Sequence, residues 1–369
     1  MSTGYESTTY DLHDCTPDSS QRYLLTAVLR SSDASLEAWR AWCGEVDIED
    51  VDSASFRLLP LIYLRLKTLD PTDQLLARLK VVYRHTWFKN QMLTNQSKHA
   101  ADIFAKAGID CMLLKGGALS IGYYQDAGAR FMHDMDLMVR PTDYDRAMTL
   151  LVDSGWQIQG TSLRHMQVAR RLGFAHGCSF KRKDAELDLH AQLSRFVWQD
   201  DAVIWATAST VEWGSSKVHV PSPTVALYHT CVHGVRWSYA PLTWIPDAMS
   251  ILRKYDDPVD WELLLKLARQ SRTVCQLQHA LNYLAAEWSA PVPSRVLIAL
   301  TEAPTSWVEQ REYAVMAKIP NRSLKQLATR LWFRSCRYRK GGKEAQRPIP
   351  VSLVGWIAYL LLYKLGPRD

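Results

Sequence analysis

The sequence lacks an apolar run long enough to cross a bilayer as a helix, which takes about 20 consecutive apolar residues. The nearest candidate, VSLVGWIAYLLLY from Val351 to Tyr363, is too short. The first twenty residues are polar and show no basic segment followed by an apolar one, so a secretory signal is not expected. We therefore predict that the chain has no transmembrane segment.

Paired cysteines are also missing. The seven cysteines are scattered, with no CxxC motif and no paired spacing. Several of them sit in apolar runs, where a thiol behaves as a small hydrophobic group. A pattern of this kind is typical of a reducing compartment, and it predicts a cytoplasmic protein.

Charge of either sign is not in large excess, but its distribution is uneven. The chain has 369 residues, of which 47% are hydrophobic and 22% charged, with a net charge of +6, values that suit a soluble globular protein of two or three domains. Residues 322–347 hold nine Lys or Arg and one acidic residue, with three aromatic residues among them. This basic stretch is a candidate for binding RNA or an anionic surface. The apolar segment after it predicts a packed helix, with a helix that binds a membrane surface or a partner as the alternative.

Helical periodicity flanks a central region of mixed character. Residues 1–20 are predicted to be disordered, whereas apolar residues at spacings of three and four predict helical regions over 21–106 and 221–321. Residues 107–220 between them form the predicted core, and residues 322–369 form the basic tail with its apolar helix. Short strands are predicted in the core at Met112–Leu114, around HDMDLMV, and at Trp156–Ile158, Ala175–Lys181 and Glu186–Leu193. The fold class expected is α+β, a small mixed sheet flanked by helices.

Two acidic residues alternate with apolar ones in the segment HDMDLMV. Asp134 and Asp136 would lie on one face of a strand, and Met135, Leu137 and Val139 on the other. Two carboxylates held side by side repel each other unless a cation lies between them, and carboxylate oxygens suit Mg²⁺ or Mn²⁺. The alternative is a strand end with two solvated aspartates, because a DxD spacing alone is a weak motif.

A glycine turn precedes this strand in the sequence LLKGGAL. A strand, then Lys115, Gly116 and Gly117, then a helix is an arrangement that can hold a phosphate, because glycine lets the backbone approach an anion and Lys115 adds a positive charge. Arg130 is a second cation that could bind phosphate oxygens. Its alternative role is a salt bridge to Asp134 or Asp136.

A third carboxylate appears in the segment AELDLHAQL. Asp188 and His190 share the polar face of this predicted strand. Two aspartates on one strand and one on a neighbouring strand are the set that two-metal phosphoryl or nucleotidyl transfer requires. His190 could orient Asp188 or contact a nucleotide directly.

The ordered set LLKGGAL, Arg130, HDMDLMV and ELDLHAQL resembles the uncharacterised nucleotidyltransferase family of the DNA polymerase beta-like superfamily. In that superfamily a glycine turn opens the site, a strand with two acidic residues supplies two metal ligands, and a later strand supplies the third. The resemblance therefore matches Gly116 and Gly117 to the turn, and it matches Asp134, Asp136 and Asp188 to the metal ligands and catalytic acids. The gap between Gly117 and Asp134 is longer than is usual in the superfamily, which leaves open which glycine contacts phosphate.

The activity implied is transfer of a nucleoside monophosphate from an NTP to a hydroxyl or phosphate acceptor, with release of pyrophosphate. Mg²⁺ or Mn²⁺ would be the cofactor. Lys115, Gly116, Gly117, Arg130 and His190 would contact the nucleotide or its phosphates. An alternative is a module that binds Mg-NTP or a partner, possibly RNA, without turnover, although a chain freed from catalysis need not keep mutually repelling acids.

Two features outside this motif set have open interpretations. Asp247 follows Pro246 at a predicted helix start, where it could cap the helix or line the cleft. His229 and His233 share one helix face at a spacing that can bind zinc, but no further ligand follows in sequence, so a packing role is favoured.

Overall fold

The computed structural model describes residues 17–171, 177–193, 201–235, 242–254 and 258–316. No helix in this described part is long and apolar enough to span a membrane.

Helices form the N-terminal part of the described chain. They are α1 (Ser19–Leu29), α2 (Ser32–Glu45), α3 (Ser53–Phe56), α4 (Leu59–Leu69) and α5 (Leu76–Lys106). α1 begins inside the segment predicted to be disordered, because the Asp18 carboxylate accepts a hydrogen bond from the backbone N–H of Gln21 and the Gln21 side chain accepts one from that of Asp18. The rest of the predicted disordered segment, residues 1–16, lies outside the described residues, and so does the basic tail from 322 to 369 with its apolar helix.

A seven-stranded mixed sheet forms the centre. Its strands are β1 (Cys111–Leu114), β2 (Met135–Val139), β3 (Gln157–Ile158), β4 (Gly177–Arg182), β5 (Ala185–His190), β6 (Ser209–Trp213) and β7 (Ser216–Val220). They lie in the order β3-β4-β5-β2-β1-β7-β6. The pairs β1–β7 and β2–β5 are parallel and the other four are antiparallel. The α+β fold class with a mixed sheet is thus confirmed, while the β6–β7 hairpin was not predicted.

Helices cover the sheet and complete the chain. Those between the strands are α6 (Lys115–Leu119), which continues as a π-helical turn (Ser120–Tyr124), then α7 (Tyr144–Asp153), α8 (Leu163–Arg171) and α9 (Asp201–Ala206). The C-terminal helices are α10 (Pro223–Gly234), α11 (Trp244–Leu252), α12 (Trp261–Ser271), α13 (Val274–Trp288), α14 (Ser294–Thr301) and α15 (Trp307–Met316).

The alternation of side chains along the central strands divides the core in two. Leu113 and Leu137 point to the face that packs against α5 and α7. Met112, Leu114 and Met138 point to the opposite face and join the core built from α1, α4, α10 and α11. Asp136 of β2 shares this second face with Met138, so it points toward the C-terminal helices.

Candidate functional site

The strand register places the predicted acidic residues together. Asp136 on β2 lies opposite Asp188 on the parallel strand β5, and Met138 lies opposite His190. One carboxylate oxygen each from Asp136 and Asp188 and one ring nitrogen of His190 lie within 4.8 Å of one another. Two carboxylates and an imidazole at this spacing are a donor set that can hold a divalent cation. Among the described residues, this group of three does not include Asp134.

Asp136 lies at the centre of the site. Its side chain is buried, and its Oδ1 atom lies 2.6 Å from Lys115 Nζ and 2.8 Å from His190 Nε2. Burial alone would raise the pKa of Asp136, but the Lys115 charge and the His190 contact outweigh burial and hold that pKa well below its ordinary value. The same pairing raises the pKa of Lys115 against the effect of its burial. Asp136 therefore carries a negative charge that its neighbours hold in place.

Asp134 precedes β2 and is half-buried. Burial first, and then the negative charges of Asp136 and Asp188, raise the pKa of Asp134 to about 6. The part of this shift that is not due to burial is the electrostatic consequence of placing three carboxylates near one another. The three residues predicted as metal ligands thus lie near one another, with Asp134 at the outer side.

The two glycines of LLKGGAL are packed inside the fold. The helical segment begins at Lys115, so Gly116 and Gly117 lie within the first turn of α6 rather than in a turn before it, and both are buried. A Cβ atom on Gly116 would collide with the Arg130 guanidinium and with Met132, and one on Gly117 would lie 2.5 Å from Met135 Sδ. Glycine is required here because side chains of the strand and of the loop before it pass close to the helix backbone.

Arg130 forms a salt bridge with Asp247, and not with Asp134 or Asp136 as considered from the sequence. Its Nε and Nη2 atoms each lie 2.8 Å from an oxygen of Asp247, and the Tyr124 hydroxyl donates to the same carboxylate at 2.7 Å. Both charged side chains are largely buried, at 14% exposed for Arg130 and 4% for Asp247. Burial would lower the pKa of Arg130, but the Asp247 charge outweighs it and raises that pKa.

The structure excludes one of the two roles considered for Asp247, that of a helix cap. It lies in the first turn of α11, where its side chain makes no cap, and it contacts Arg130 and Tyr124 instead. Binding of phosphate by Arg130 remains a prediction, as does binding of phosphate by Lys115, whose ammonium group lies on Asp136.

Two of these contacts could hardly be predicted from the amino-acid sequence. The separation of 117 residues between Arg130 and Asp247 leaves no local pattern that would pair them. Tyr124 is not among the predicted site residues; its hydroxyl, which needs a hydrogen-bond partner once buried, was the available signal. His229 and His233 lie edge to face with ring centroids 5.6 Å apart, which fits the packing role favoured for them.

Comparison with known proteins identifies the family of this chain. A family model described as an uncharacterised nucleotidyltransferase matches residues 53–289. The chain belongs to this family. The match covers the N-terminal helices from α3, the whole sheet and the C-terminal helices through α13, so the resemblance seen in the motifs is confirmed.

Among solved structures, this nucleotidyltransferase-family chain is similar to an antigenic nucleotidyltransferase-like protein from Paracoccidioides brasiliensis. The identity is 17% and the TM-score 0.34, with 58% of this chain and 94% of the other covered. The comparison with curated proteins finds no match.

Proposed function

We propose that this protein transfers a nucleoside monophosphate from an NTP to a hydroxyl or phosphate acceptor. The acceptor oxygen forms a bond to the α-phosphorus, the bond from that phosphorus to the bridging oxygen of the β-phosphate breaks, and pyrophosphate leaves. The observation that supports this most is the alignment of Asp136 with Asp188 across β2 and β5, with His190 beside them. It places oxygen and nitrogen donors from two strands at one point, as a metal-dependent transfer requires.

The donor set fits Mg²⁺ or Mn²⁺, since carboxylate oxygens are the ligands these ions prefer. Asp134, Asp136 and Asp188 would hold the metal, which would neutralise charge on the triphosphate and lower the pKa of the acceptor hydroxyl. Asp188 lies on the half-buried side of the group and would accept the acceptor's proton. His190, through its contact with Asp136, would keep that carboxylate oriented.

Lys115 would have a role that depends on the metal. Its ammonium group lies on Asp136 Oδ1 and neutralises part of the acidic charge. When a cation binds the carboxylates, Lys115 would be released toward the phosphates, where the prediction from the sequence places it.

Five cysteines of the described residues, at positions 43, 111, 178, 231 and 275, are free thiols, which supports the cytoplasm as the proposed compartment.

The test uses each of the four NTPs labelled at the α-phosphate, with Mg²⁺ or Mn²⁺ and a cell extract as the source of acceptor. We expect metal-dependent pyrophosphate release and labelling of an acceptor by the wild-type protein. The Asp134→Ala/Asp136→Ala variant should lose both. Asp184→Asn is the matched control, since it removes an exposed carboxylate from the β4–β5 turn. Binding of NTP without release by the wild-type protein, for all four bases, would instead favour the alternative of a non-catalytic Mg-NTP module.

A further inference from the structure

The two cations predicted to meet the triphosphate are both bound to acids in the structure. Lys115 contacts Asp136 and Arg130 contacts Asp247. A phosphorylated substrate carries several negative charges beyond those a metal neutralises, so other cations near the carboxylates are of interest. The N-terminal helical region supplies them.

Two basic side chains lie over the ring of Phe131, just before the acidic strand, and a third contacts one of them. Lys89 Nζ on α5 lies 5.0 Å from the centre of the Phe131 ring, and Arg57 Cζ, after α3, lies 5.7 Å from it. The Nδ1 atom of His133 lies 3.3 Å from Lys89 Nζ. We call these residues, Arg57, Lys89 and His133, the basic rim.

The aromatic ring fixes the basic rim in place. Phe56 packs edge-on against Phe131 with ring centroids 6.2 Å apart, and cation–π attraction holds Arg57 and Lys89 over the same ring. Such an arrangement brings together like charges that repel one another. In the part of the chain that the structure describes, no carboxylate lies within ion-pair distance of Arg57 or Lys89.

The basic rim borders the carboxylate group. His133 is the residue immediately before Asp134, and the charges of Asp134 and Glu186 act on Lys89. Lys89 is half-buried, and burial lowers its pKa, so it is not freely hydrated. A charged group that is partly desolvated and forms no ion pair is stabilised by an anionic ligand.

We propose that Arg57, Lys89 and His133 form a binding site for a phosphate group of a substrate whose reacting atoms lie at the carboxylates, an inference that rests on the proposed function for the placement of those atoms. The charges and the hydrogen-bond donors match a phosphate, and both Arg57 and Lys89 are half-buried. Two substrates can supply that group: the polyphosphate of the NTP, or an acceptor that already carries a phosphate.

The first experiment measures binding of inorganic tripolyphosphate by calorimetry in the presence of EDTA, so that the metal contributes nothing. We expect Arg57→Gln/Lys89→Gln to weaken binding about tenfold or more, since charge-assisted hydrogen bonds are lost. Lys89→Arg, which keeps the charge, should bind within about threefold of the wild-type protein.

Lys98→Gln is the matched control. Lys98 lies on the same helix and also lies over an aromatic ring, with Nζ 5.2 Å from the centre of Trp213. Trp213 belongs to β6 at the edge of the sheet, whereas the acidic residues lie on the inner strands β2 and β5. Circular dichroism confirms that the variants are folded. Equal binding by the wild-type protein and the double variant, or equal weakening by Lys98→Gln, would overturn the proposal.

A second experiment separates the two sources of phosphate. With Ca²⁺ and an α,β-methylene NTP analogue, weaker binding of the analogue by the double variant would assign the basic rim to the NTP. The other outcome is that the double variant binds the analogue as the wild-type protein does but, with the analogue at saturating concentration, no longer binds inorganic phosphate. This outcome would assign the basic rim to a phosphorylated acceptor. Both readouts are binding constants, so they stand even where the labelled-NTP assay shows no transfer, and failure of the proposed function is distinguished from failure of the basic rim.

Discussion

Replacing Asp247 by Asn tests how strongly the buried ion pair with Arg130 holds the fold together. The substitution keeps the size of the side chain and removes its charge. Arg130 then remains buried without its counterion, and a guanidinium cannot lose its proton at any accessible pH. The Tyr124 hydroxyl loses a charged acceptor at the same point.

The size of the effect follows from burial. Removing one partner of a buried ion pair costs about 3–5 kcal/mol, because the other charge stays desolvated. An exposed pair contributes at most about 1 kcal/mol. The chain offers such a pair at the same N···O distance of 2.8 Å, Arg22 with Glu287, whose side chains are 44% and 41% exposed. Glu287→Gln is therefore the matched control.

The assay is urea unfolding followed by tryptophan fluorescence, with Asp247→Asn measured in both the wild-type and the Arg130→Met background. In the second background the Asp247 carboxylate is a buried charge that has lost its counterion, and the Asn substitution removes it, so we expect the substitution to cost less than about 1 kcal/mol there or to stabilise the protein. A coupling energy near zero would refute the reasoning. So would an Asp247→Asn cost no larger than that of Glu287→Gln.

Three further predictions rest on single side chains. Asp136→Asn should reduce metal-dependent pyrophosphate release at least about a thousandfold while circular dichroism stays unchanged, and wild-type turnover in this variant would contradict the assignment. Gly116→Ala should lower the free energy of unfolding by about 1–3 kcal/mol, because its Cβ would collide with Arg130 and Met132, whereas Gly122→Ala, with nothing within 4 Å of its Cβ, should cost far less in the same thermal melt. Burial lowers the pKa of His279 to about 4 from an ordinary 6.5, so stability is full above pH 6.5 and is lost as pH falls toward 4. Between pH 7 and pH 5 this loss is about 2 kcal/mol, and urea melts of His279→Phe should show a shallower pH dependence by that amount; an unchanged dependence would exclude His279 as its source.

Much of the central sheet could be predicted because local patterns encode it. The alternation of Asp136 with Leu137 in β2, and of Asp188 with Leu189 in β5, identifies both strands and the face that carries the acids. β2 is buried on both faces, and its acidic position is still recognisable in the sequence because the other residues of the strand are apolar. The helical regions follow equally from spacing, so the α+β class needed no knowledge of pairing.

Strand pairing could not be predicted from those patterns. No local sequence pattern indicates that β1 runs antiparallel to β2 and parallel to β7, because these contacts join segments that are distant in the sequence. The β6–β7 hairpin escaped prediction because β6 lies at the edge of the sheet and buries only Trp213 fully, leaving little alternation to detect. The role proposed for Lys89 could not be predicted either. Lys89 is one basic residue in a long helix, and it comes close to Phe131 only in the folded chain.

The bond between Arg130 and Asp247 also limits how this protein can be divided. A fragment cut at the predicted core boundaries, residues 107 and 220, would keep both acidic strands and the helix that starts at Lys115. It would leave the Arg130 guanidinium exposed to water or unpaired, because Asp247 lies on a helix beyond the second cut. The charged residues around the carboxylate group are thus distributed over the whole folded unit, and a fragment that holds only the sheet would lack this ion pair.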